Sequence, residues 1–497
     1  MTSVPQVRIA IIGAGFAGLG MAMRLKERGE HDFVILERSE AVGGTWRANT
    51  YPGCAVDVES HLYSFSFAPN PDWTQLYSPQ QEIWDYQLRL ADEHGLTEHL
   101  RLSHEVLGAD WDEDAGLWHV HTSGGDVDTR FLVSGMGPLT NPVDPEIPGL
   151  ETFAGTCFHS GSWDHDHDLT GERVAVIGTG SSAAQFVPEI APRAERTLVF
   201  QRTPAWVLPR LNRPITALER ATYRRFPAVQ RAVRTKHMVR HELLGILLRS
   251  PRSTAVIEFV CRKHLERQVQ DPVLRAKLTP SFRAGCTRLI ISDDWYPAVA
   301  RPDVDVVTDA ITEVRPEGVV TADGTLHAVD TLILGTGYEI MPIADPLRGR
   351  DGVDLAERWA VHREAYLGTT VAGYPNYFML VGPNTATGHT SVLLYAEAQI
   401  DYVLQCLDHV ERNGARSMTV REEPQHAFSE AIREQLQGTV WLVGGCHSWY
   451  LNERGGTSVL WPGTTWEFTA ALRQLDPSDY ELGWAPAPSR RAEPVAA

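Results

Sequence analysis

A chain of 497 residues, 43% hydrophobic and 22% charged, has room for about three domains and the make-up of an ordinary globular protein. Its formal net charge of −18 is the wrong sign for a nucleic-acid binder, which must neutralise phosphates. No apolar run approaches the roughly 18 residues of a membrane span, and the first residues lack the basic and apolar regions of a secretory signal, so a cytoplasmic enzyme is expected.

The first predicted strand, Val7 to Ile12, runs into Gly13-Ala-Gly15-Phe-Ala-Gly18 and then a helix to about Glu27. Such a loop makes a tight turn at its first glycine and admits a pyrophosphate at its second. The third allows close helix–strand packing, with the helix N-terminus facing the anion. The next strand, Phe33 to Leu36, ends in Glu37, where an acid can take ribose hydroxyls. The same unit recurs at Val174 to Ile177, with Gly178-Thr-Gly180-Ser181-Ser182-Ala183 as its loop. There the position matching Glu37 is Arg202, followed by Thr203, and a guanidinium there suits a 2′-phosphate that a carboxylate would repel. The first site is therefore expected to hold FAD and the second NADPH, with electrons passing between them.

From Arg210 to Leu278 there are 16 Lys and Arg against 5 Asp and Glu. Apolar residues at three- and four-residue spacing predict helices over Arg220 to His241 and Thr254 to Gln270, an insertion in an α/β domain. Its apolar run Leu243 to Leu248 between Arg240 and Arg249 suggests weak contact with an anionic membrane surface. A late strand, Val329 to Gly335, precedes Thr336-Gly337-Tyr338. Six cysteines (54, 157, 261, 286, 406, 446) form no Cys-x-x-Cys pair, which argues against a disulfide scaffold, structural zinc and a dithiol reductase. Asp164-His-Asp-His-Asp168 reads as a hydrated loop, and no metal is expected.

Between the two Gly-rich loops stands Phe153-Ala-Gly155-Thr-Cys-Phe-His159-Ser-Gly-Ser-Trp163-Asp164. It matches Phe-x-Gly-x-x-x-His-x-x-x-Trp-(Pro/Asp), and Gly44-Thr45-Trp46 to Tyr51-Pro52-Gly53 and on to Asp57 forms a second motif. With Gly335-Thr-Gly337-Tyr338 as a third, the chain resembles the FAD- and NADPH-dependent Baeyer–Villiger monooxygenases from residue 5 to about 470. Trp163-Asp164 favours this branch over the related sulfur and nitrogen oxygenases.

The resemblance implies a fold of two Rossmann-like dinucleotide domains with a helical insertion. The FAD domain would occupy 1–150 and 329–480, the NADP domain 151–209 and 281–328, and the insertion 210–280, with a disordered tail at 481–497. It further implies conversion of a ketone to an ester or lactone with NADPH and dioxygen, through a peroxide at flavin C(4a). FAD contacts would come from Gly13, Gly15, Ala17, Gly18, Glu37, Thr45, Trp46, Asp57 and Val106. NADP contacts would come from Gly178, Gly180, Ser181, Ser182, Ala183, Arg202 and Thr203. The family's active-site Arg falls on Arg288 and its partner acid on Asp57, while His159 would couple domain movement to cofactor binding. Trp449 would contact substrate from a C-terminal loop. Where many relatives have Lys before that Arg, this chain has Thr287, so selection of NADPH would rest on Arg202 and Thr203. A sulfur or nitrogen oxygenase and a non-catalytic redox sensor remain the competing readings.

Overall fold

The computed structural model describes residues 4–452 and 454–484. Gln6–Ile12 forms the central strand of an eight-stranded sheet, and its residues Ile9 to Ile12 are buried, as a strand covered on both faces requires. Parallel neighbours flank it, Phe33–Leu36 on one side and Val127–Ser134 on the other. The latter continues through an antiparallel meander, Leu117–Thr122 and Val106–Asp112, and also pairs with Tyr377–Met379. Residues on both sides of the second dinucleotide unit therefore build one sheet.

The second sheet has five parallel strands in the order Val304–Val307, Arg196–Phe200, Arg173–Ile177, Thr331–Leu334, Thr156–His159. Thr331–Leu334, expected to open the returning FAD domain, lies inside this sheet, so the boundary drawn at 329 moves beyond Leu334. The fingerprint strand Thr156–His159 is its edge. The tail boundary at 481 also shifts, because Tyr480–Gly483 pairs antiparallel with Ser417–Val420. The rest of the expected tail, 485–497, lies outside the described residues.

The insertion is helical, as its periodicity implies, but divided differently. Ala217–Arg225, opened by a capping box between Thr216 and Glu219, stops at Phe226, and Pro227–Leu248 starts a new helix. Proline lacks the N–H that a continuous helix would need there and suits the first helical position. Ala255–Gln268 follows. Although the insertion interrupts the NADP half in sequence, it is stitched to the FAD half. Arg234 Nη1 donates to the carbonyls of His61, Leu62 and Ser64, and Gln230 donates to Asn70. No helix among the described residues is long and apolar enough to cross a membrane.

Candidate active site

The two Gly-rich loops have the geometry their spacing implies. Gly13 has φ +93° and Gly178 φ +114°, a region that costs a side chain its freedom from clash. A Cβ on Gly18 would sit 1.8 Å from the Gly13 carbonyl oxygen, so the helix Phe16–Glu27 packs on its strand only with glycine there. At the pyrophosphate positions the constraint is different. A Cβ on Gly15 would meet nothing closer than 3.6 Å, and one on Gly180 nothing within 4 Å. The protein does not fill this space, so these glycines keep a cradle open for a ligand. The residues present fit dinucleotide diphosphates in both loops.

Glu37 is buried, and its carboxylate accepts the amides of Ala14 at 2.7 Å and Ser39 at 2.8 Å, which fixes it beside the first loop. The His104 amide donates to the Glu37 carbonyl, bringing the segment that leads to Val106 alongside. Thr45 and Trp46 lie on a short helix after Gly44, and Trp46 Nε1 donates to the Tyr63 hydroxyl. In the second unit Gly180 is the N-cap of Ser181–Ile190, so Ser181 and Ser182 stand in the first turn of the helix, at its N-terminus. Arg202 and Thr203 are exposed, and Arg202 forms no ion pair among the described residues. Its guanidinium is available to an anionic ligand.

Gln185 joins the two units beside the second loop. Gln185, on the helix after Gly180, donates to the Ala55 carbonyl at 2.9 Å, while its side-chain oxygen accepts from the Tyr51 hydroxyl at 3.1 Å. Gly53 has φ +75°, and a Cβ there would lie 2.6 Å from the Gln185 carbonyl oxygen. The Tyr51-Pro52-Gly53 motif is thus an interdomain seam rather than a ligand loop.

That seam leads directly to Asp57. Arg288 Nε and Nη2 both reach Asp57 Oδ2 at 2.8 Å, and Nη1 donates to the Thr387 carbonyl at 3.1 Å. The neighbouring carboxylate pushes the Arg288 proton affinity upward, against the effect of burial, so the guanidinium stays charged. A small cavity opens beside this pair, walled by Val58, Leu208, Leu244, Leu289 and Ile291 and by His241 and His389. A wider groove along the fingerprint and residues 142–151 has no comparable fixed cation among its lining residues. The buried Tyr450 hydroxyl lies against Arg288, whose positive charge acts on it. Trp449 beside it is half exposed, its ring 4.2 Å from that of Tyr450, so it does not pack in the core.

His159 accepts the Gly161 amide on Nδ1, and its ring meets Tyr338 edge-on at 5.5 Å. Burial holds its proton affinity below the ordinary histidine value. Trp163 packs on Phe158 and Phe186, tying the fingerprint to the helix of the second loop. The Asp164–Asp168 loop disperses its side chains: His165 meets Thr50, His167 meets Glu172, and Asp168 meets Arg193.

Three features escaped the sequence. His241 faces Glu59 on one nitrogen at 2.6 Å and the His389 carbonyl on the other, which ties the insertion to two segments of the FAD half. Thr387 anchors Arg288 through its backbone, for which a sequence carries no signal. Cys286 and Cys446, 160 residues apart, are disulfide-bonded with Cα atoms 6.0 Å apart. The expectation of no disulfide scaffold overlooked a single long-range bond because spacing along a chain does not report proximity.

A model of flavin-binding monooxygenase-like proteins matches residues 6–345. A Baeyer-Villiger monooxygenase of Streptomyces coelicolor is 45% identical over 488 residues, covering 97% of this chain and 94% of that protein. One of Pseudomonas aeruginosa is also 45% identical, covering 96% and 92% respectively. Among solved structures, a closed cyclohexanone monooxygenase is 28% identical with a TM-score of 0.86, covering 97% of this chain and all of that one. The OTEMO complex with FAD and NADP is 28% identical with a TM-score of 0.88 and the same coverage.

Proposed function

The chain belongs to the flavin-binding monooxygenase-like family and is a flavin-dependent Baeyer–Villiger monooxygenase that uses FAD, NADPH, dioxygen and a ketone; on that premise we propose how its residues divide the work. The first loop with Glu37, Thr45, Trp46 and Val106 holds FAD, and the second with Arg202 and Thr203 holds NADPH. Bound and reduced, the flavin activates dioxygen and supplies the oxygen atom inserted beside the ketone carbonyl.

The carrying observation is Arg288 fixed by Asp57 and Thr387 in the lining of a small cavity that is apolar on one side. Negative charge builds on oxygen during transfer, and a cation oriented beforehand stabilises it without reorganisation. Asp57 orients Arg288 and keeps it charged. Val58, Leu208, Leu244, Leu289 and Ile291 give the cavity an apolar side that limits water beside the cation, and Tyr450 packs against Arg288 from the C-terminal loop. His159 acts at the domain junction, where its Nδ1 accepts the Gly161 amide and its ring meets Tyr338. The insertion also rests on anionic membrane surfaces, supported by its positive charge and by exposed Val239, Leu243 and Ile246 on one helix face.

Incubation with NADPH, ¹⁸O₂ and matched panels of ketones and sulfides tests the reading. Esters or lactones carrying one label are expected. Labelled sulfoxides with no ester from any ketone would replace it with sulfur oxygenation, and absence of NADPH oxidation would favour a sensor.

A further inference from the structure

Cys286 lies two residues before Arg288, and Cys446 lies four before Tyr450, the residue whose hydroxyl faces Arg288. Around the sulfur pair the two segments are already in register. The Arg283 amide donates to the Gly444 carbonyl at 2.9 Å, and the Cys446 amide lies 3.2 Å from Cys286 Sγ. A Cβ on Gly444 would come within 2.7 Å of Cys286 Cβ, so glycine there is what lets the loop cross this side chain. These contacts bring the two segments together on either side of the sulfur pair. Cys286 is buried, whereas Cys446 is only partly so and reachable by a small solute.

We propose that Cys286 and Cys446 are a peroxide-oxidised thiol pair that pins the C-terminal loop over Arg288. The oxidant is hydrogen peroxide, the form in which dioxygen leaves when its oxygen is not delivered to a ketone. The Cys446 thiolate attacks one peroxide oxygen; the O–O bond breaks, hydroxide leaves and takes a proton, and sulfur is left as a sulfenic acid. The Cys286 thiolate, stabilised by the Cys446 amide, attacks that sulfur, and the S–O bond breaks with loss of a second water. Two thiols and one peroxide thus become one disulfide and two waters. A small dithiol reverses the step. Once formed, the bond ties the Arg288 segment to the Tyr450 segment, keeping Tyr450 over the guanidinium and water out. Leaked peroxide thereby reduces further leakage.

The source of peroxide rests on the oxygenase reading; the thiol chemistry does not. The remaining cysteines serve as internal controls. Burial pushes the Cys54 and Cys261 thiols up to about 12, which keeps them protonated and inert, whereas Cys157 is exposed and open to alkylation.

The test uses dithiol-treated holoenzyme, freed of dithiol without air and divided in three. Added hydrogen peroxide should yield the cross-linked 286–446 peptide by mass spectrometry after alkylation. NADPH with dioxygen and no ketone should yield the same peptide, and catalase should suppress it. With ketone present, cross-linked enzyme should release at least about fivefold less peroxide per NADPH than reduced enzyme, the low end of a typical coupling between two sites. Cys446→Ser should behave as reduced enzyme under every treatment. Thiols that survive added peroxide, a bond that native enzyme never yields to dithiol, catalase-insensitive cross-linking, or cross-linking without a change in coupling would each overturn the proposal. Failure of NADPH to generate any peroxide would instead count against the oxygenase reading, and the added-peroxide arm would still decide the thiol pair.

Discussion

Arg288 commits three of its five N–H donors to Asp57 and Thr387, and its side chain lines the cavity. Removing it should separate reduction from oxygenation. Hydride transfer needs the two cofactors stacked, which the Gly-rich loops supply, whereas charge on oxygen develops later. Losing one preorganised donor at such a point costs about 10²–10³ in rate. Arg288→Ala should therefore still bleach its flavin with NADPH yet make almost no ester, its oxygen leaving as hydrogen peroxide. Wild-type ester yield per NADPH in that variant would remove Arg288 from the mechanism. Asp57→Ala keeps the cation and should show a milder loss. Arg202 makes a separate case, being exposed and without an ion pair among the described residues. Arg202→Ala should raise KM for NADPH about tenfold or more relative to NADH, the cost of one charged contact. Equal changes for both cofactors would mean that it does not read the 2′-phosphate. These two arginines differ in how legible they are. Arg202 stands at a fixed distance from a Gly-rich loop, so the role proposed for it can be read from spacing; Arg288 has no such local frame, and only the resemblance points to it.

At the scale of elements, what could be read was whatever is local in the chain. Strand, glycine turn and helix follow one another within about 30 residues, and their chemistry follows from backbone requirements. The packing of the insertion was not legible, because amphipathic periodicity marks a buried face without naming the surface that buries it. On Pro227–Leu248 that face carries Gln230, His237, His241 and Glu242, polar residues that pair across the domain boundary with His61, Asn70, Glu59 and Thr465. The opposite face leaves Val239, Leu243 and Ile246 exposed among Lys236 and Arg240, and Phe259 and Lys263 are exposed on Ala255–Gln268. An amphipathic basic helix gains from apolar insertion and from attraction to anionic lipid together. Co-sedimentation with phosphatidylserine vesicles should therefore be seen at low salt and be lost in Leu243→Asp/Ile246→Asp. No sedimentation of the wild-type protein at low salt would end the membrane assignment.

At the scale of the whole molecule, the same seam should set the response to acid. His61 belongs to the FAD half but is buried against the insertion, its Nδ1 facing Gln230 and its ring meeting Tyr223 edge-on at 4.9 Å. Its Nε2 is buried without a partner. Burial, and after it the His237 charge, pushes its pKa down to about 4; Glu219 opposes this, and Arg213 and Arg234 add smaller downward effects. In the unfolded chain the ring titrates near 6.5. Between those values the unfolded state binds more protons than the folded one, so stability rises with pH across the window and is lost as pH falls through it. At about 1.4 kcal/mol per unit of pKa, roughly 3 kcal/mol of stability disappears between about pH 6.5 and 4. His119 and His121 act in the other direction, their pKa values raised by Asp128 and Asp110, but both are partly exposed and their contribution is screened. The docked insertion should therefore loosen first on acidification. Thermal melting followed from pH 7 to 4.5 should show a smaller fall in Tm for His61→Asn than for the wild type, because asparagine keeps a polar group toward Gln230 without a site to protonate. Limited proteolysis should cut between residues 210 and 280 of the wild type at the lower pH before the two sheets open. Parallel melting curves for the two proteins across that range would show that His61 does not carry the transition.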